Sequence, residues 1–433
     1  MTLAGGVLAG AGSRLLPASV PFRFFGAAVA FHVVAWLAAL AGADALPAFA
    51  GGLGWPLASL HAITLGVLAM TAIGASLQLF PVATRRPIAH ARLATAIFWG
   101  YVPGVAALVA GMGWPSLPLL AFGGAAVAVS LAAFVALLAR NLAGAKGLPL
   151  VVAHGSVATV ALVATLATAL VAVAGYALDV PLPRTTVLAL HLTLATYGFM
   201  GMLALGLSYV LVPMFALGDA PPSERGWASF TLATAALVLA VVAALGGAPR
   251  VMGVAAAGTG LIAAVLHVQS MRDVVAHGLR RELGTGFRLV ALAWGALIAS
   301  LAIALVLAWE PPVPRLATLF GATLVGGWLL TFVLGILQRI VPFLAAMHAG
   351  RGSRRPPTPS SLTDARSLAW HARLHVAALA LLALAIVAGE GSMARLAALV
   401  GTAGALAYAL SFAKAVRALA RALLVAPPRS STP

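Results

Sequence analysis

The sequence predicts an all-α integral membrane protein of twelve transmembrane helices, built as three tandem four-helix repeats around a pseudo-threefold axis. Three observations carry that expectation. The chain of 433 residues is 62% hydrophobic and 8% charged, with a mean hydropathy of +1.07, and a soluble globule needs a polar skin that this composition does not supply. Apolar runs of about 20 residues, enough to cross a bilayer core as helix, recur from end to end. One punctuation of glycines and a proline appears three times at fixed spacing, each time in the second span of a block of four.

Hydropathy places the spans at roughly 22–42, 56–80, 92–111, 117–139, 149–176, 186–216, 227–246, 251–271, 287–308, 315–345, 370–388 and 393–413. The net charge of +17 could suggest nucleic acid, but the basic residues sit in short loops between spans, as the positive-inside rule distributes them. Arg14, Arg23, Arg85, Arg86, Arg92, Arg140, Lys146, Arg225, Arg272, Arg280, Arg281 and Arg288 fall on one side. Arg351, Arg354, Arg355, Arg366, Lys414, Arg417 and Arg421 join them there. The opposite loops hold only Arg184, Arg250, Arg315 and Arg395, beside Asp44, Asp179, Glu310 and Glu390. This predicts both termini in the cytoplasm of a cell with a bacterial-type inner membrane, the lipid bilayer as partner, and no nucleic acid. The N-terminal stretch lacks the apolar region and cleavage site of a signal peptide, so the first span is expected to direct insertion. The chain has no cysteine, which excludes disulfides, thiolate metal sites and cysteine nucleophiles. The polar segment about 348–368, rich in Pro, Ser and Arg, reads as a cytoplasmic loop.

The repeat rests on Gly66, Gly74 and Pro81; Gly198, Gly206 and Pro213; and Gly327, Gly335 and Pro342, all with the spacing G-x7-G-x6-P. "HARL" at 90–93 and again at 371–374 opens the third helix of the first and third blocks. Residues 1–433 therefore read as a single membrane domain with repeats at about 20–140, 146–280 and 285–420. Units of four helices keep the same topology, so the repeats are parallel. Glycines eight apart lie on nearly one helix face. There they allow close approach of a neighbouring helix or of a flat ligand, which makes Gly66, Gly74, Gly198 and Gly206 candidate cofactor-clearing positions. The proline near the basic end is expected to end or kink its helix.

Among ionisable groups, the ten histidines are the candidate ligands. His61 and His191 each begin the second helix of their block, five and seven residues before its first glycine. That offset turns them about 200° apart on aligned helices, so a haem or a metal ion between neighbouring helices could use both. His32 lies in the middle of the first span, where a lone imidazole needs a partner: a cofactor, or a neighbouring hydroxyl. His371 and His375, four apart on one helix face, could chelate a metal; their place beside Trp370 and Arg373 equally suits an interfacial anchor. His154 and His267 fall in the basic-side halves of the fifth and eighth spans, while His90, His277 and His348 are expected in solvated loops. Met70, Met200 and Met202 read as core filling, Tyr197 and Tyr209 as packing groups, and Arg339 as a side chain snorkelling to the surface. No P-loop, dinucleotide fingerprint, zincin motif or Ser/His/Asp set is visible, which disfavours hydrolytic and nucleotide-driven chemistry.

Twelve spans in three arcs, with histidine at the outer start of the second and sixth, resemble subunit I of the haem-copper oxidases. "HLTLATYGFMGMLALGLSYVLVPMF" is similar to stretches of its shorter, nitric-oxide-reductase-like relatives. The first block, through "FRFF" at 22–25, His61, Gly66, Pro81, Thr84, Arg86 and Pro87, also resembles the NnrS family of haem- and copper-containing membrane proteins linked to nitric oxide. The resemblance implies haem b and/or copper and a redox or nitric-oxide-related role, with a redox partner or respiratory complex in attendance. The ligand set departs from the oxidase pattern. The H-x-H positions of the tenth span are Phe320 and Ala322 by glycine register, and neither an adjacent His-His pair nor an HPE motif for a second copper is present. The paired-His and Glu signature of NnrS around His61 is incomplete as well. A full oxygen-reducing binuclear centre is therefore not expected. Two further readings stand beside the first: a transporter for a metal, haem or small solute, and a non-catalytic assembly partner of a respiratory complex. The first of these is weakened by the acids, all of which fall at span ends or in loops.

Overall fold

The computed structural model describes residues 16–88, 90–178, 181–280, 282–309, 313–350 and 357–425. Arg14, Arg281, Arg351, Arg354, Arg355, Asp179 and Glu310 lie outside the described residues. Twelve helices have membrane-crossing length and hydropathy: α1 Ser19–Ala41, α2 Trp55–Ala83, α3 Arg92–Gly113, α4 Leu117–Ala143, α5 Pro149–Tyr176 and α6 Arg184–Ala216 form the first half. The second half comprises α7 Ser223–Ala244, α8 Pro249–His277, α9 Gly284–Trp309, α10 Leu316–Ala349, α11 Ala365–Ala388 and α12 Gly391–Ala422. The chain is thus a multi-pass membrane protein, with no strand among the described residues. In lipid this is the economical solution, because a helix satisfies every backbone group within its own segment.

The helices that carry the glycine–proline punctuation form the centre. In α2, α6 and α10, 72%, 94% and 67% of the most apolar stretch is buried, against 11–56% in the others. These three touch one another, and the remaining helices close round them, with α4 against α5, α8 against α9 and α12 against α1. Each central helix widens over one stretch, Ala62–Ala69, Leu194–Gly201 and Ala322–Leu330, into π-type winding in which bonds reach five residues back. In the third of these the Thr331 hydroxyl also donates to the carbonyl of Gly326, five residues earlier, at 2.8 Å.

The glycines face close neighbours on the first helix of each block. A Cβ on Gly66 would stand 2.5 Å from Phe31, and one on Gly74 2.9 Å from Phe24, both on α1. Gly198 and Gly206 meet Ala161 at 2.8 Å and His154 at 2.4 Å on α5, and Gly327 and Gly335 meet Ala296 at 3.1 Å and the Gly286 carbonyl at 2.6 Å on α9. Five of these six glycines leave no room for a Cβ and Gly327 leaves little, so neighbouring side chains and backbone pack directly on that face. The prolines do not end their helices: α6 runs three residues past Pro213 and α10 seven past Pro342.

The ends are tied by polar contacts that lipid would not tolerate at mid-depth. After α2, Thr84 donates to the Asn141 side-chain oxygen at 2.9 Å, Asn141 Nδ2 donates to the Arg86 carbonyl at 3.0 Å, and the Lys146 amide donates to the Thr84 carbonyl at 2.9 Å. The paired-arginine turn is thereby bound to the α4–α5 loop. Asp364 caps α11 by accepting from the Ser367 amide at 3.2 Å, so that helix starts five residues before the expected position 370. His348 is buried in the last turn of α10, which extends further than the sequence suggested, whereas His90 and His277 are exposed as expected.

Candidate functional site

His61 and His191 sit near the starts of α2 and α6, at the end of the bundle opposite the start of α1, and the fold brings them together. Their ring centres are 6.5 Å apart and the ring planes differ by 18°. Each ring is held from behind. His61 Nδ1 donates to the Leu57 carbonyl, one turn earlier on the same helix, at 3.1 Å. His191 Nδ1 lies 3.3 Å from the hydroxyl of Thr168 on α5. Thr168 directs its own proton at the carbonyls of Thr165 (2.9 Å) and Ala164 (3.1 Å), so its oxygen accepts from Nδ1–H of His191. Both rings are therefore assigned the same tautomer, with the lone pair on Nε2.

Both histidines line a cavity of about 210 Å³ between α2, α3, α4, α5 and α6. Its other walls are almost wholly apolar, among them Leu65, Leu68, Leu131, Leu166, Phe199 and Met200. A metal held at ~2 Å from one nitrogen of each ring would set the ring centres about 6 Å apart, close to the spacing seen. The donor set and its rear hydrogen bonds are those that orient imidazole ligands.

Five of the other histidines fall into two further groups. His371 and His375 are buried in the bundle, 0% and 1% exposed. They face His32 of α1, with ring centres 5.7 Å (371–375), 6.0 Å (32–371) and 6.3 Å (32–375) apart. Trp370 and Arg373, on either side of His371, face outward while the two histidines turn inward, a rotation that period alone does not give. Among the described residues, no group of three or more His, Cys, Asp or Glu is arranged to hold a metal ion, so the expected chelate at His371 and His375 has no third ligand of that kind. His154 and His267 flank Tyr209, with ring centres 5.7 Å and 5.3 Å from it.

Sequence reasoning missed Thr168, Gln338 and Tyr408, which contact these rings. Gln338 had a signal, a buried amide in an otherwise apolar helix. Threonine and tyrosine in a membrane helix carry none, because both bond or pack in many unrelated settings. Tyr197 donates to or accepts from Ser300 at 3.2 Å and packs on Trp328. These two and Phe320 line a second cavity, of about 400 Å³, between α6 and α10. Met70 is fully buried, and Arg339 is half-buried with its guanidinium 5.6 Å from the ring of Phe215.

No protein-family model and no curated protein matches the sequence. The fold does have a solved counterpart. A haem-copper terminal oxidase dimer, solved by cryo-electron microscopy, matches with a TM-score of 0.63 at 10% identity, over 96% of this chain and 86% of that one. The fold is therefore shared with a chain of that haem-copper terminal oxidase. At that identity the likeness concerns the fold alone.

Proposed function

We propose that this is a haem-binding redox protein of the haem-copper-oxidase-like and NnrS-like group, in which His61 and His191 hold a b-type haem. The observation that carries the reading is the opposed pair itself: two imidazoles at metal-bridging distance, each anchored through Nδ1, at the edge of an apolar cavity. The hydrocarbon walls favour a macrocycle over a bare copper ion, since leucine and methionine side chains can pack a porphyrin but give an ion no further donors. A bound haem supplies one-electron transfer. The protein's part is to fix the two ligands: Leu57 and Thr168 set tautomer and ring orientation, and the apolar walls exclude water. Such a group would be held by both His61 and His191 and would supply one-electron chemistry there, which favours electron transfer to a redox partner or respiratory complex over oxygen reduction.

The three four-helix units about a threefold axis, at about 20–140, 146–280 and 285–420, belong to the same proposal. They are supported by the threefold recurrence of π winding and by the packing of the second helix of each unit on the first. The end that carries both termini is taken as cytoplasmic on its arginine content, and the host membrane as a bacterial-type inner membrane.

The test is an absorption spectrum of the purified protein, oxidised and reduced, with iron and copper analysis. A Soret band that is lost in both His61→Ala and His191→Ala is the expected result. Copper without haem at the same two residues would replace the cofactor, and a colourless, metal-free protein would overturn the reading.

A further inference from the structure

The cluster of His32, His371 and His375 lies among α1, α10, α11 and α12, apart from the His61–His191 pair, and its inference does not depend on that pair. Each ring has one nitrogen engaged, and the partners decide where the protons are. Trp36 Nε1 donates to His32 Nε2 at 3.3 Å, which leaves a neutral His32 with its proton on Nδ1. The Thr285 hydroxyl donates to Gln338 Oε1 at 2.7 Å, and the Gln338 amide nitrogen donates to His371 Nδ1 at 2.8 Å, so the His371 proton is on Nε2. Thr331, whose proton goes to the Gly326 carbonyl, accepts from Nε2 of His375 at 2.8 Å and leaves a lone pair on Nδ1.

The remaining ring atoms, His32 Nδ1, His371 Nε2 and His375 Nδ1, are buried and have no protein partner, and neither has the hydroxyl of Tyr408. They make a set of two N–H donors, one acceptor nitrogen and one hydroxyl. A metal needs lone pairs from all three rings, and two of them present protons instead. A water molecule needs the reverse: it accepts from two donors and donates to an acceptor, and buried waters commonly make two to four such bonds.

A way in also exists. A crevice of about 10 Å³ at the terminus-bearing end is lined by Thr363, Ser411, Gln338 and Tyr408, and this is about the space of one water. Thr363 lies in the loop before α11. Gln338 and Tyr408 both touch His371, the first by its hydrogen bond and the second with ring centres 4.9 Å apart. The crevice therefore runs from beside the loop before α11 to two side chains that touch His371.

We propose that His32, His371 and His375 bind a water molecule at the inner end of a half-channel from the terminus-bearing face, and exchange protons with that face. A hydronium reaching the site gives its proton to Nδ1 of His375, which leaves a neutral water and a His375 protonated on both nitrogens. The titratable groups against the site are the three histidines of α1 and α11 and Tyr408 of α12; α10 contributes the uncharged Gln338 and Thr331. Chains of intramembrane histidines are a recognised way to move protons.

The experiment is water-edited solid-state NMR on protein carrying ¹⁵N-histidine in lipid bilayers, with His32→Gln, His371→Gln and His375→Gln used for assignment. Expected are an Nδ1–H tautomer for His32, Nε2–H tautomers for His371 and His375, and magnetisation transfer from water to all three rings. In Ser411→Leu, which narrows the crevice, that transfer is expected to slow by about tenfold or more, because exchange then needs local opening of the bundle. Thr363→Val, at the mouth, tests the same path with a milder change, and exposed His277 serves as an unaffected reference. Absence of transfer in the unaltered protein, equal transfer in both crevice variants, or nitrogen shifts of metal coordination would each overturn the proposal, the last in favour of a metal site.

Discussion

Two cavities lie between neighbouring central helices, and they differ in chemistry more than in construction. The first, beside α2 and α6, presents His61 and His191 to a leucine-rich space. The second, beside α6 and α10, presents Tyr197, Phe320 and Trp328 to walls of small residues such as Ala236, Ala257, Gly260 and Ala308. Phe320 stands seven residues before Gly327, the register that His191 holds before Gly198. One fold thus offers two cavities between central helices, with different side chains at the same register. In the second cavity the Tyr197 hydroxyl is bonded to Ser300, and no histidine lines the walls.

The sharpest way to break this comparison is to delete ligands from each cavity in turn. His61→Ala and His191→Ala are expected to abolish haem absorbance, while Trp328→Phe and Tyr197→Phe leave it unchanged. Loss of colour in the second pair would show that the cofactor had been assigned to the wrong cavity.

A smaller effect separates ligand from ligand support. Thr168→Val removes the acceptor behind His191 without touching the cavity, and cofactor affinity should fall by about 10–100-fold, read by titrating apo-protein with haem. An unchanged affinity would mean that Thr168 does not orient the ring.

The glycine faces differ from the cavities in being full. Gly206→Val forces a Cβ against His154 and should lower stability by about 1–3 kcal/mol. Gly295→Ala, where nothing lies within 4 Å, should leave stability the same or up to about 1 kcal/mol higher. Thermal unfolding in detergent compares the two; equal losses would contradict the packing role.

The least of these effects lies at the surface. Asp364 is held by Lys414 and then by Ser367, which bring its carboxyl down to about 2. The carboxylate therefore adds stability that is fully present above the usual carboxylate range and is lost as pH falls through about 2. Asp364→Ala should cost about 1 kcal/mol as a lost helix cap and flatten the acid limb of a stability–pH curve; a curve like that of the unaltered protein would rule the contact out as a stabiliser.

Much of the fold was legible because bilayer thickness sets helix length. The α2 segment was expected at 56–80 and runs Trp55–Ala83, and α4, expected at 117–139, runs Leu117–Ala143. Ends moved where a cap or loop decided them, as at Asp364 before α11. The meeting of His61 with His191 was arguable from register, since two helices with the same punctuation were expected to be neighbours. The companions of His371 were not arguable from anything local.

By itself, then, the amino-acid sequence determined how many helices cross the membrane, which three carry close-packing glycines, and that no acid is buried at mid-depth. Only the tertiary structure decided which way each helix is turned. It aimed the glycines at α1, α5 and α9, and joined His32 to His371 and His375 across nearly the whole length of the chain. The physical reason is that a helix in lipid is apolar on every side, so hydrophobic periodicity, which reveals the buried face of a helix in water, carries no phase here. Rotation about the helix axis is left to packing and to a few hydrogen bonds, and those exist only once the neighbours are in place.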